Sequence, residues 1–199
     1  MLLADGSVRR SSDLLANGVR PQAIANALKA GVIARADRGT YHLVRGASSP
    51  EEVALAAACA RMPEAVVCML SAAWMNNLLD DPPPVTWIAL PLRVHAARVD
   101  GPPRRTLRWS YEGAFDIGVE VKEVCGVPVR RTNAARTLVD LVRYERHLSG
   151  RDIGPRAAAR FFAAGGTSTS VTEIAEAVGM PRKSREILDI VLTTLAVQP

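Results

Sequence analysis

The chain has 199 residues, enough for one or two domains with a buried core, and carries a net charge of +5 with 48% hydrophobic content. Its longest apolar runs, such as Val53 to Ala60, are less than half the ~20 residues that span a bilayer, which argues against a membrane protein. Met1 to Arg10 show no apolar stretch behind a positive start, so no secretory leader is expected and the cytoplasm is the expected compartment.

The charge is unevenly spread. Residues 1–47 hold seven basic and three acidic side chains, a net +4, while the other 152 residues hold 18 basic and 17 acidic ones. Such a concentration is the footprint of a small module that meets phosphate. The same 47 residues read as helix, turn, helix, hairpin. Ser11-Ser12-Asp13 offers caps for a short helix, Leu14 to Asn17, closed by Gly18. A second helix opens at Arg20-Pro21, with proline at the first position where no backbone donor is needed, and stops at Gly31. Two β segments follow, Val32 to Ala36 and Thr40 to Val44, joined by the turn-forming Asp37-Arg38-Gly39.

The second helix sorts by its period. Ile24, Ala27 and Leu28 share an inner face, whereas Gln22, Ala25, Asn26 and Lys29 share the outer one. Amide side chains bond adenine through paired hydrogen bonds, cations bond guanine, and a small residue such as Ala25 lets a helix approach base edges. The plain alternative is a solvated helix face. With Arg20 at the start of this helix and Arg35 and Arg38 on the hairpin, the pattern predicts a winged helix-turn-helix whose DNA contacts are Arg20, Gln22, Ala25, Asn26, Lys29, Arg35 and Arg38. A winged module normally begins with another helix, and Met1 to Ala4 is barely a turn of one.

Gly46-Ala47-Ser48-Ser49-Pro50 reads as a linker, dividing a DNA-binding domain at 1–47 from a second domain at 48–199. Ser49-Pro50-Glu51-Glu52 opens a helix that runs to about Arg61. A strand-like run at Ala65 to Met69, a helix at Ser71 to Leu79 stopped by Asp80-Asp81-Pro82, and a buried strand at Val85 to Leu90 come next. The Arg, Gly and Pro-rich stretch from Leu92 to Arg108 gives way to strands at Leu107 to Tyr111 and Val119 to Val124. Thr132 is the expected cap of a helix, Asn133 to Tyr144, and three more helices follow at Pro155 to Ala164, Ser170 to Val178 and Arg182 to Leu195. The fold class is α+β, a winged module followed by a mixed α/β domain with a small central sheet and a helical end.

Several of these segments resemble AbiEi-family antitoxins. Ser12 to Val19, Gly31 to Arg35 and Arg38-Gly39-Thr40-Tyr41 are similar to that family's N-terminal winged module. Leu70 to Asp80 resembles the helix after its first strand, Trp87-Ile88-Ala89-Leu90-Pro91 the strand that follows, and Val127-Pro128-Val129-Arg130 with Ala135 to Asp140 its most recognisable segment. The resemblance implies an antitoxin and transcriptional repressor that binds inverted repeats in its own promoter and neutralises a nucleotidyltransferase toxin of the AbiEii type. The toxin would carry the nucleotide and Mg²⁺ chemistry, so the chain itself is expected to be neither an enzyme nor a cofactor or metal protein.

Other features carry rival readings. Glu120-Val121-Lys122 with Asp100 and Asp116 upstream has the look of a Mg²⁺-dependent nuclease strand, though Glu120 and Lys122 also fit an exposed strand face. A transcription factor whose second domain senses a small molecule is a further alternative. Ser170 to Gly179 followed by Arg182, Lys183 and Arg185 looks like a second helix-turn-helix or two helices of a bundle, with Ser170 and Glu173 as a capping box. Residues 128–160 carry a net +5 and residues 48–92 a net −4, which predicts either a polarised binding face or internal ion pairs such as Arg136 with Asp140. Cys59, Cys68 and Cys125 are spaced like reduced, buried thiols, and His42, His95 and His147 stand too far apart for a metal site.

Overall fold

The computed structural model describes residues 6–97, 100–150 and 152–196. The readings of a leader and of a first helix fall mainly on residues 1–5, outside the described residues. Among the described residues the chain is α+β, with eight α-helices and two sheets.

The first sheet is built from β1 (Arg9–Arg10), β2 (Ile33–Asp37) and β3 (Thr40–Leu43), in the order β1-β3-β2. Two helices stand on it, α1 (Ser11–Ala16) and α2 (Pro21–Lys29). Ser11, Ser12 and Asp13 form the first turn of α1 rather than capping it: β1 delivers the chain in extended form at Arg10, and the helix begins at once. Pro21 occupies the first position of α2, and Gly31, at φ +65°, takes the left-handed conformation that ends it. Leu14, Ile24, Ile33 and Tyr41 close a small core beneath the two helices. The hairpin turn is tighter than its sequence implies, because Asp37 pairs with Thr40 and leaves Arg38-Gly39 alone as the turn.

Helix α3 (Pro50–Arg61) starts with a capping box in which Ser49 and Glu52 satisfy each other's backbone N–H groups. Val53 and Leu55 to Cys59 are all buried. A helix apolar around most of its circumference must be covered on several sides, and α3 lies against strands of both sheets.

The second sheet has the order β6-β5-β4-β8-β7, from β4 (Val66–Val67), β5 (Thr86–Pro91), β6 (Arg104–Trp109), β7 (Val119–Val124) and β8 (Val127–Thr132). Pairs β4/β8 and β5/β6 are parallel; β4/β5 and β7/β8 are antiparallel. Strand β8 was not among the expected elements. Its Arg130 and Arg131 disguise a strand buried on both faces, with Val127 and Val129 toward α3 and Thr132 toward α5. Likewise β6 begins at Arg104, three residues before its expected start, because parallel pairing with β5 recruits the arginines. Helix α4 (Met69–Met75) ends earlier than expected, where Asn77 adopts φ +59°.

On the face opposite α3 lie α5 (Ala134–Arg143), α6 (Ile153–Ala163), α7 (Ser168–Ala177) and α8 (Arg182–Ala196). Asn133, not Thr132, caps α5; Thr132 is buried in the ladder with its hydroxyl on Thr137. Thr167 caps α7, so Ser170 and Glu173 do not form the expected box. Helices α7 and α8 pack on α5 and α6 as members of a bundle. Arg182 pairs with Glu186, and Arg185 with Glu176 and Asp189.

The residue 46–50 linker does not separate two loosely joined bodies. Val8 and Ala36 from the first unit lie in the core around α3. The Val8 N–H donates to the Cys125 carbonyl at 2.8 Å, and Arg9 donates to the Gly126 carbonyl at 2.9 Å. Gly101 passes so close that an added Cβ would stand 2.5 Å from the Ala36 carbonyl oxygen.

Candidate functional site

Every candidate on α2 lies on its solvent side. Gln22, Ala25, Asn26 and Lys29 are exposed, whereas Ile24 is buried and Ala27 and Leu28 are half-buried. Gln22 Nε2 donates to Asn26 Oδ1 at 2.9 Å, so the two amides sit as one polar unit on consecutive turns. Each retains a free donor or acceptor edge. Arg20, the residue before the first turn, is exposed and caps nothing with its side chain.

The hairpin divides its arginines. Arg38 is exposed in the two-residue turn, at the tip where it was expected. Arg35 lies three residues before it on β2, opposite Tyr41, at the edge of a cleft lined by Ala36, His42, Pro50 and Val53. It is exposed but belongs to the side of the hairpin rather than the tip. Arg45 follows β3 and is exposed as well. Arg10 is also exposed. Its register opposite Thr40, with Ser11 bonded to the Gly39 carbonyl, puts it beside the hairpin tip and Arg38. The Arg9-Arg10 doublet was the available signal, and only the second arginine is free, since Arg9 is spent on Gly126.

Among the described residues, Arg10, Arg20, Lys29, Arg35, Arg38 and Arg45 form no ion pair. In the second unit, by contrast, Arg130, Arg131, Arg136, Arg156 and Arg160 pair with Asp116, Glu120, Asp140, Asp152 and Asp80. Five of the eight arginines in the run 128–160 are therefore ion-paired, and Arg151 lies outside the described residues.

Asp37 is the one acidic side chain of the hairpin, and it is buried. It lies 2.8 Å from Arg61 Nη1 and 3.1 Å from Arg104 Nη1, and accepts from the backbone N–H of Arg38. Burial by itself would raise its pKa. The Arg38 N–H and the charges of Arg61 and Arg104 outweigh that and hold the carboxyl below its ordinary range. The hairpin that presents Arg38 is thus anchored from beneath to α3 and β6.

The expected ion pair of Arg136 and Asp140 is present and wholly buried, both side chains being 0% exposed. Arg136 Nε donates to both Asp140 oxygens at 3.1 Å, and its other nitrogens reach the Ile117 and Ala114 carbonyls and the Tyr111 hydroxyl. The guanidinium also lies over the Trp109 ring, 4.7 Å from its centroid. Burial pushes the Asp140 carboxyl up to about 6, against the pull of Arg136 and Arg143. The network ties α5 to β6 and to the segment between β6 and β7.

The nuclease-like residues do not converge. Asp116 is exposed and faces Arg130 at 3.8 Å, Glu120 pairs with Arg131 at 2.6 Å, and Lys122 points into solvent. Among the described residues no three His, Cys, Asp or Glu side chains group to hold a metal ion. Burial raises the Cys59 thiol to about 12 and Cys68 well above its ordinary value; Cys125, expected to be buried, is half-exposed in the β7–β8 turn.

No helix among the described residues is long and apolar enough to cross a membrane. No protein-family model matches the chain, and no curated protein matches it. Among solved structures it is similar to the Rv2827c protein of Mycobacterium tuberculosis, with a TM-score of 0.67 and 15% identity over 94% of this chain and 72% of that one. At that identity the likeness is one of fold.

Proposed function

We propose that the first unit is a winged helix-turn-helix that reads double-stranded DNA, with α2 as the recognition helix and the β2–β3 hairpin as the wing. The observation that carries this reading is the exposed α2 face of Gln22, Ala25, Asn26 and Lys29, flanked by Arg20, Arg35 and Arg38, none of which has an ion-pair partner among the described residues. Exposed cations without an acidic partner, concentrated on one small unit, suit a phosphate backbone as counter-ion. The hydrogen-bonding amides suit base edges in the major groove.

On the resemblance to AbiEi antitoxins, the chain represses its own promoter through inverted repeats and neutralises a nucleotidyltransferase toxin of the AbiEii type, without catalysis, cofactor or metal of its own. The dispersal of Asp116, Glu120 and Lys122 onto arginine partners and solvent supports this over the nuclease alternative. The test has two arms. Fluorescence anisotropy with the DNA upstream of its own gene should give tighter binding than random DNA of equal length. Co-expression with an AbiEii-type nucleotidyltransferase encoded beside it should restore growth, if the toxin is its partner. Equal affinity for both DNAs would refute the first arm, and failure of rescue the second.

A further inference from the structure

The five-stranded sheet ends at β6 on one side and at β7 on the other. Strand β6 carries Arg104, Arg105 and Arg108, a run of one sign that opposes a copy of itself. Strand β7 differs: Glu120 to Glu123 are exposed, and Val121 is an apolar side chain 65% open to solvent.

The hydrogen bonding of this edge follows from its turn. Cys125 and Gly126 join β7 to β8 with φ of +50° and +68°, the pair of positive values that a two-residue type I′ hairpin requires. Such a turn is flanked by a hydrogen-bonded pair, here Val124 with Val127. Alternation along an antiparallel ladder then directs the backbone groups of Lys122 and Glu120 to β8. Val121 and Glu123 turn their N–H and C=O outward, and the Val119 N–H is taken by the Asp116 carbonyl.

We propose that this edge pairs with β7 of a second copy of the chain, antiparallel across a two-fold axis through Val121, so that the two sheets become continuous. Three two-fold registers are open to the middle of the strand, centred on Glu120, Val121 or Lys122. The first sets Glu120 against its own copy, and the third does the same with Lys122. The register centred on Val121 opposes Glu120 to Lys122 of the second copy, and Lys122 to its Glu120. It brings the two exposed Val121 side chains together and makes Val121 a hydrogen-bonded pair, as its outward N–H and C=O demand. Charges on an edge strand ordinarily prevent association. Here their order around Val121 admits one register and rejects its neighbours. The inference stands whether or not the first unit reads DNA, although a two-fold dimer is the form that engages an inverted repeat.

Sedimentation velocity of the full chain at micromolar concentrations tests it. The wild type is expected to sediment as a dimer. Lys122→Glu and Glu120→Lys should each be monomeric, because each sets like charges opposite one another across the axis. An equimolar mixture of the two should regain the dimer, since every cross-strand pair is then of opposite sign. Val121→Pro should abolish association while leaving the thermal melt unchanged, because the Val121 N–H serves no bond within the protomer; Val121→Lys replaces it if proline disturbs the hairpin. A wild type that stays monomeric, a dimer that survives both Lys122→Glu and the Val121 variant, or a folded mixture that stays monomeric would each overturn the proposal.

Discussion

Asp37, on the hairpin, and Arg104, on β6, meet 3.1 Å apart with both side chains 4% exposed, and Arg61 at the end of α3 completes the group. Removing the carboxylate leaves the buried Arg104 guanidinium without its acidic partner and takes one from Arg61 as well. Asp37→Ala should therefore cost about 3 to 5 kcal/mol of folding free energy, read from the urea midpoint. A loss of under ~1 kcal/mol would mean that water compensates the arginines. Because the Asp37 pKa is held down, its contribution is present above the ordinary carboxylate range and lost as pH falls through the lowered value.

The same anchoring bears on whether the second unit stands alone. A chain of residues 48–199 loses Val8 and Ala36 from the core around α3 and exposes Arg61 and Arg104. The linker composition suggests an independent fold for this piece; the packing predicts a lower and broader melt than that of the full chain. A melt as cooperative and as high would show that the shared core contributes little.

Asp140 gives a pH signature of the opposite sign. Its folded pKa of about 6 lies above the ordinary 3.8, so the stability it contributes is fully present below about 3.8 and is lost as pH rises through about 6. Between pH 5 and pH 7 this amounts to about 1 kcal/mol in favour of the acid side. Comparing the denaturation midpoints of wild type and Asp140→Asn at the two pH values isolates it from the histidines. An equal slope in both proteins would assign the effect elsewhere.

On α2 the hydrogen bond from Gln22 to Asn26 makes the two amides interdependent. If they read bases, each single alanine variant should lose roughly 1 to 3 kcal/mol on the cognate site and little on random DNA. The double variant should lose less than the sum, as expected for coupled neighbours. Arg38→Ala should instead weaken both DNAs and reduce the salt dependence. Strict additivity at Gln22 and Asn26 would show that their mutual bond does not persist on DNA.

Local chemistry accounts for what could be read from sequence. Pro21, Gly31 and the Ser49–Glu52 box mark helix ends through groups a few residues apart, and the exposed face of α2 follows from a 3.6 period alone. Strands β1 and β8 escaped because their identity is conferred by distant partners: Arg10 becomes strand by meeting Thr40, and Arg130 by meeting Val66. Arg136 and Asp140 show the same limit for side chains. Their spacing predicts the ion pair, but β6 and the segment between β6 and β7 make it a buried one. At the candidate interface the residue types were legible, whereas the place of Arg35 on the hairpin's flank depended on Asp37 being drawn into the ladder.

The bond from Val8 to the Cys125 carbonyl also sets an order in time. Residues of the first unit leave the ribosome well before the β7–β8 hairpin that receives them, and β4 waits for β8 before it gains its parallel neighbour. During synthesis the apolar Val8 and Ala36 have no complete seat until residue 126 has emerged. The core of Leu14, Ile24, Ile33 and Tyr41 can close earlier, but the seam that joins the two units cannot, and a nascent chain stalled before that point would present Val8 and Ala36 uncovered to chaperones and proteases.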